Sequence, residues 1–275
     1  MDSAPLAIFL SPHFDDIALS CGGMAARLSR SGARCFGVTV CAAPAAPGEG
    51  LSDYAKRQHE KWGDEEGSEP RTINEVRREE ERQALGLLGL EPVWLDVPDA
   101  PYRHSAEGEY FYASDETLMG AVALEERRVL VPKVANGIRH IAGEYAARGR
   151  VRVFAPLGIG HHVDHQLVFS AARRLGPRYG VLFYEDYPYA SRPGKLQARL
   201  EELTLPVQPR LTPISDLIGV KIAAIARYKS QLPMLFGSSE AMPAAVRAYF
   251  EAVGGAPGHY AERFWYIPPI YTVRV

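Results

Sequence analysis

LAIFLSPHFDDIALSCGGMAARLSRSGARCFGVTVC, residues 6–41, contains a complete strand, helix, strand unit. Leu6–Ser11 is an apolar run broken at Pro12. Asp16 to about Ser31 carries small and apolar residues on one side and stops at Gly32, and the run from Cys35 to Ala42 is rich in β-branched residues. A unit of this length implies two parallel strands joined by a right-handed crossover. Its unusual part is SPHFDD, because His13, Asp15 and Asp16 stand where a buried strand hands over to a helix, and charge is costly there unless it is used.

Outward from this unit the same alternation continues. A polar stretch with Pro44, Pro47, Gly48, Gly63 and Gly67 runs from Ala43 to about Arg71 and reads as a lid or substrate loop, with a short helix through YAKRQHEKW. RTINEVRREEERQALGLLGL is a helix with Thr72 and Glu75 in capping-box register, and PVWLDVP is the next strand. A helical segment follows over about 115–148, then the strand RVRVFAPLG, the helix HHVDHQLVFSAARRLG and the strand VLFYEDYPY. PISDLIGVKIAAIARYKSQ reads as one long helix from near Pro213, and ERFWYIPPIYTVRV as an edge strand with an extended tail, since Pro268 and Pro269 exclude a central ladder position. The pattern predicts an α/β fold, a Rossmann-like three-layer sandwich with a mainly parallel sheet, organised as a single domain over 1–275 with the polar insertion at 43–71.

Composition narrows the function. With 31 basic and 33 acidic residues and a net charge of −2, the chain has no basic field for nucleic acid. LAIFL is too short for a membrane span and lacks a basic leader, so a cytoplasmic chain acting on a small molecule is expected. Cys21, Cys35 and Cys41 show no CxxC spacing and read as reduced packing thiols. A homo-oligomer is compatible with the sequence, which carries no signal for or against it.

In parallel sheets ligands collect beyond the carboxyl ends of the strands. SPHFDD leaves the first strand at that end and GIGHHVDH leaves the fourth, so two distant clusters converge at one rim. His161, His162 and His165, with His13, make up half of the chain's eight histidines. Two imidazoles and a carboxylate with an open position are the donor set of a hydrolytic zinc site, and spacing favours His13, Asp16 and His165. Ferrous iron, Fe2+, accepts the same donors as Zn2+. Asp15, beside a ligand, can take a proton from a water at the open position. His162 can stabilise an oxyanion or protonate a leaving amine, and Asp164 can orient a histidine. His161 reads as a packing or supporting histidine. The glycines after Cys21 fit close helix packing better than a phosphate loop.

With these residues in view, the chain resembles the PIG-L/LmbE-like family of zinc-dependent de-N-acetylases. SPHFDDI is similar to the family's P/A-H-P-D-D-E motif, and His162, Val163, Asp164 and His165 match its H-x-D-H motif in full. VRREEERQALGLLGLEPVWLDVPD, KIAAIARYKSQ and AERF resemble further family segments. The resemblance implies a hydrolase that removes an N-acetyl group from an amino-sugar conjugate. It implies His13, Asp16 and His165 as metal ligands, Asp15 as base, His162 as the residue that steadies the tetrahedral state and assists departure of the amine, and Asp164 as a carboxylate that pairs with a histidine and tunes it. Phe14 and Ile17 depart from the motif, and Phe14 is expected beside the pocket. Asp99 and Arg103 are expected to meet sugar hydroxyls, Arg78 has a weaker claim, and Tyr184 or Glu185 would line the same rim. A larger acylated natural product or thiol conjugate is the alternative substrate, and a non-catalytic sugar-binding protein that keeps its metal site is the alternative to an enzyme.

Overall fold

The computed structural model describes residues 5–45, 50–62, 70–147 and 151–268, side chains at 70–72 and 144 apart. The strands are β1 (Leu6–Ser11), β2 (Arg34–Thr39), β3 (Glu91–Trp94), β4 (Val151–Pro156), β5 (Tyr179–Tyr184), β6 (Gln208–Pro213) and β7 (Ala261–Tyr266). The helices are α1 (Asp16–Arg30), α2 (Asp53–Lys61), α3 (Pro70–Leu88), α4 (Asp115–Leu118), α5 (Leu124–Ala147), α6 (Val163–Arg173), α7 (Lys195–Glu202), α8 (Ile218–Ile225), α9 (Leu232–Phe236) and α10 (Met242–Gly254).

The strands form one sheet in the order β3-β2-β1-β4-β5-β7-β6. The first five are parallel, and β7 and β6 are antiparallel to their neighbours. β1 shows why both faces are covered: all six of its residues are buried, with Ala7 and Phe9 packing to one side and Leu6, Ile8 and Leu10 to the other. α1, α3, α8 and α10 cover the first face, and α5 and α6 the second, giving three layers. Phe9 stacks on Phe154 of the paired strand at 4.5 Å. The chain crosses from one side of β1 to the other between β3 and β4, so the carboxyl ends of β1 and β4 flank the switch point where α/β sheets bind ligands.

Three expectations need correction. The terminal strand β7 lies between β5 and β6 rather than at the edge; Pro268 comes after its last residue, Tyr266, and so removes no donor from the ladder, while Pro269 and the expected extended tail lie outside the described residues. The edge is β6, which the sequence reading missed because QPRLTP carries two prolines and few apolar residues. The long helix from Pro213 is instead α8, Ile218–Ile225, because Pro213 ends β6 and residues 214–217 turn. α3 runs from Pro70, two residues before the expected cap at Thr72, whose side chain lies outside the described residues. Of the expected 43–71 excursion, 46–49 and 63–69 lie outside them too, and α2 is its helix, capped by Ser52 through the Ala55 N–H.

α1 breaks at Cys21, where φ is −136°. The break exposes the N–H groups of Gly23 and Met24, which donate to Glu262 Oε1 and Oε2 at 2.8 and 2.7 Å. Lys221 Nζ, fully buried, donates to the same carboxylate at 2.8 Å. A Cβ at residue 23 would sit 2.6 Å from Ile214 Cγ2, so glycine is required for this approach. The K-x-x-A and A-E-R-F segments of the sequence are thus the two halves of one buried ion pair that caps the interrupted helix.

Two stability tests follow. Lys221→Met strands the Glu262 charge and is expected to cost about 3–5 kcal/mol in urea unfolding, while adding Glu262→Gln restores a large part of the loss. Glu81, buried against Thr39 and Trp94, has its pKa pushed by burial to about 8 from an ordinary 4.5. The fold therefore holds this proton more tightly than the unfolded chain, and stability is expected to fall as pH rises from about 4.5 to 8, by up to about 1.4 kcal/mol per unit. Chemical denaturation at several pH values should show that Glu81→Gln flattens this slope.

Candidate active site

The turn after β1 braces itself: the His13 N–H donates to Asp16 Oδ2 at 2.8 Å, and the Asp15 carbonyl accepts the Leu19 N–H at 3.0 Å as α1 begins. Asp15 occupies the cap position of α1 without a side-chain cap bond, so its carboxylate is left for the cavity it lines. After β4 the chain doubles back through left-handed backbone at Gly158, Gly160 and His161. A Cβ at Gly160 would meet the Tyr189 ring at 2.7 Å, so glycine fits here for space as well as for φ. His161 turns outward to Glu202, and α6 starts with His162 as its cap.

These two turns bring His13, Asp16 and His165 together, one donor atom of each lying within 4.8 Å of the others. His165 Nδ1 is 2.6 Å from Asp186 Oδ1, which leaves Nε2 facing Asp16 Oδ1 at 3.5 Å. His13 Nε2 is 3.1 Å from Asp164 Oδ2 and 3.5 Å from Asp99 Oδ1, which leaves Nδ1 on the Asp16 side at 3.6 Å. Each imidazole thus has its outer nitrogen engaged by a carboxylate and its inner nitrogen turned to a common point, the arrangement by which proteins orient metal-binding histidines. Two imidazoles, a carboxylate and a cavity on the open side fit a divalent metal of the zinc or ferrous class.

The local field is negative. Burial disfavours the His13 cation, yet Asp99, Asp164 and Asp16 outweigh it and hold its pKa well above the ordinary value. His165 is likewise raised, Asp16 and Asp186 overcoming burial. Burial and then the neighbouring Asp16 carboxylate push Asp15 up to about 6. Burial and the His13 charge pull His162 down to about 3, and its Nδ1 accepts the Asp164 N–H at 3.2 Å. His162 is therefore a neutral imidazole with its proton on Nε2.

The cavity holds about 530 Å³ and is lined by His13, Asp15, Asp16, His162, His165 and Asp99, as the sequence reading requires. Other expected residues lie elsewhere. Asp164, fully buried, is the expected carboxylate beside a histidine: it stands behind His13, where Arg103 Nη1 (2.5 Å) and the Ala100 N–H (3.2 Å) also bind it. Arg103 is no sugar ligand, since it is buried between Asp164 and Glu126, over the Tyr112 ring. Arg78 donates to the Ala42 carbonyl and lies over Trp94; one residue is about 100° on a helix, and its neighbour Arg77 reaches the cavity instead. Phe14, 2% exposed, packs into the core beneath the Arg77 guanidinium rather than beside the substrate. Tyr184 donates to the Leu10 carbonyl, and Glu185 accepts from Tyr249, Arg263 and Trp265, so neither lines the rim. Sequence reasoning singles out neither Arg77 nor Asp186: Asp186 follows β5 at the same carboxyl end, two positions after Tyr184, and its signal is its place rather than any motif.

The chain is similar to known proteins over most of its length. The family model described as PIG-L, GlcNAc-PI de-N-acetylase, matches residues 8–176, more than half of the chain. The chain is 34% identical over 238 residues to a 2'-N-acetylparomamine deacetylase of Niallia circulans, covering 84% of this chain and 82% of the relative. It is 32% identical over 239 residues to the enzyme of the same description from Streptomyces fradiae, covering 84% and 72%. Among solved structures, the zinc-inhibited form of the teicoplanin deacetylase Orf2 superposes with a TM-score of 0.77 at 26% identity, covering 96% of this chain and 98% of that one.

Arg103 supplies the test of the supporting layer. Arg103→Met leaves Asp164 and Glu126 without their cation, and thermal or urea unfolding is expected to register a loss of about 3–5 kcal/mol.

Proposed function

The chain belongs to the PIG-L family of de-N-acetylases and is a hydrolytic deacetylase, and we propose that it is metal-dependent and removes the acetyl group from an N-acetylated amino sugar within a small glycoside. The observation that carries this reading is the convergence of His13, Asp16 and His165, with Asp15 and His162, on one cavity. The substrate class is supported by the relatives named for acetylparomamine and teicoplanin. Family membership sets aside the non-catalytic alternative. We propose further that residues 1–275 act as one catalytic domain. Three free, buried cysteines support a reducing, cytoplasmic setting, and among the described residues no helix is long and apolar enough to cross a membrane.

His13, Asp16 and His165 would hold the metal, Zn2+ in the first instance, which when bound supplies Lewis-acid polarisation of the amide carbonyl and acidifies a water. The remaining work falls to side chains. Asp15 takes a proton from the attacking water on its carboxylate as the new C–O bond forms, and returns it to the amide nitrogen as the C–N bond breaks. The products are acetate and the free amine. The His162 Nε2–H donates to the carbonyl oxygen as negative charge collects there; its neutral tautomer, fixed by the Asp164 N–H, suits it to this role and not to protonating the amine. Asp99 and Arg77, 3.9 Å apart on the cavity wall, present an acceptor and a donor to sugar hydroxyls. Asp164 and Asp186 hold the two imidazoles in register for the metal.

Metal content and acetate release separate these roles. Asp15→Asn is expected to retain about one metal per chain and lose nearly all turnover, whereas His13→Ala and His165→Ala lose the metal. His162→Ala keeps the metal and falls about 100-fold or more in kcat. Equal metal retention in all four variants, or undiminished turnover in Asp15→Asn, would overturn the assignment.

A further inference from the structure

Phe14 stands between a cluster imidazole and the proposed base, at a position where the chain departs from the family motif, and the hydrolytic chemistry leaves it unused. Its side chain is 2% exposed, and the Arg77 guanidinium lies over its ring at 5.2 Å from the ring centre. Trp62, which follows α2, brings a second ring to the same guanidinium at 4.8 Å. Three segments distant in sequence, the turn before α1, the end of α2 and the middle of α3, therefore meet on one cation. Arg77 is itself buried, and both it and Trp62 line the catalytic cavity.

Arg77 is held differently from the other arginines near the site. Arg78 spends an N–H on the Ala42 carbonyl, and Arg103 spends its N–H groups on Asp164 and Glu126. Asp99 Oδ2 stands 3.9 Å from Arg77 Nη1, an ion-pair separation beyond hydrogen-bond reach, and Arg77 Nε has no hydrogen-bond partner among the described residues. A planar guanidinium offers contacts of two kinds: its faces stack on aromatic rings, and its edge carries the N–H donors. An arginine bound through its edge has those donors occupied, whereas one placed through its face keeps them for a ligand. The ring contacts also remove side-chain rotamers that a ligand would otherwise have to freeze on binding.

We propose that Phe14 and Trp62 are positioning residues for Arg77: their rings hold the guanidinium by its face so that its N–H edge meets the hydroxyl groups of the sugar. The proposal rests on the deacetylase reading and deepens it by naming what sets substrate affinity. Hydroxyl groups away from the acetamido carbon keep their bonding while the amide is cleaved, so this contact stabilises the bound substrate and the transition state alike. Its loss raises KM and leaves kcat nearly unchanged. A proline at residue 14, as in the family motif, has no aromatic face, so the phenyl ring gives this chain a hold on Arg77 that the motif residue lacks.

The test uses the metal-loaded full chain, with acetate release from N,N'-diacetylchitobiose as the probe reaction and a double-mutant cycle between residues 14 and 77. Phe14→Leu and Arg77→Met are each expected to keep about one metal per chain and to raise KM about tenfold, with kcat changed by less than about threefold. The double variant is expected to be no worse than Arg77→Met, because a ring with no guanidinium to hold adds nothing. Trp62→Leu, at a half-buried position, takes the place of Phe14→Leu in the cycle should the latter fail to fold, with a rise in KM of about threefold. A reading independent of substrate comes from NMR of the chain carrying isotope-labelled arginine. The Arg77 Nε–H signal, assigned by its loss in Arg77→Met, is expected upfield of those of exposed arginines through the ring currents of Phe14 and Trp62, and is expected to move downfield when either ring is removed. An Arg77 signal or a KM that does not move in a folded ring variant would overturn the proposal, as would KM increases that add across the cycle, or a loss carried by kcat and metal content instead of KM. Failure of the unsubstituted chain to release acetate from the probe would count against the substrate class proposed for the enzyme, while the NMR signal still decides whether the rings hold Arg77.

Discussion

Two buried carboxylates grip the two cluster imidazoles from behind, and the rest of the site depends on that grip. Asp186 holds His165 through Nδ1 and Asp164 holds His13 through Nε2. An imidazole free to rotate about its side-chain bonds would present either nitrogen to the cavity; one whose outer nitrogen is engaged can present only the other. The same two carboxylates fix backbone as well. Asp186 Oδ2 accepts the N–H groups of Gly158 and Ile159, both at 2.9 Å, which sets the turn that delivers His162 and His165. Asp164 accepts the Ala100 N–H, tying the loop after β3 to the start of α6.

Such a layer is costly to bury, and neighbouring cationic groups offset that cost. Asp164 is held well below the usual carboxylate range because Arg103 and His13 outweigh its burial. Arg103 is in turn shared with Glu126, which the Tyr112 hydroxyl also satisfies. On the opposite face Lys221 and Glu262 perform the same neutralisation for the broken helix that begins at the active-site turn. The first network ends on α6, which follows β4, and the second on α1, which follows β1, so both brace the helices that leave the two cluster-bearing turns. Removing a single partner from either is costly because the survivor cannot return to water.

The sequence made the chemistry of the site legible because its groups are confined to two short segments at the ends of two parallel strands, and strand ends are readable from apolar runs. His13, Asp15, Asp16, His162 and His165 all fall where that rule puts them. It was less informative one shell out. Arg77 and Arg78 are adjacent in an Arg-rich helix, and only the helix rotation decides which enters the cavity. Arg103 looks like a surface loop cation until Asp164 and Glu126 are placed beside it in space. In the fold, the parallel half was legible from alternation of strands and helices. The antiparallel half was not, because β6 is exposed at most of its positions and carries no apolar pattern for a reader to follow.

The two sides of the cavity are held unequally. The donor set and its supporting carboxylates are constrained by several simultaneous contacts each, so substitution there disturbs geometry as well as chemistry. Gln58, Lys61 and Asp115 are tied to the molecule by few bonds and belong to short helices whose positions rest on the Tyr54, Tyr112 and Leu118 cluster. The donor set is thus held by several contacts on each group, and the α2/α4 side of the cavity by few.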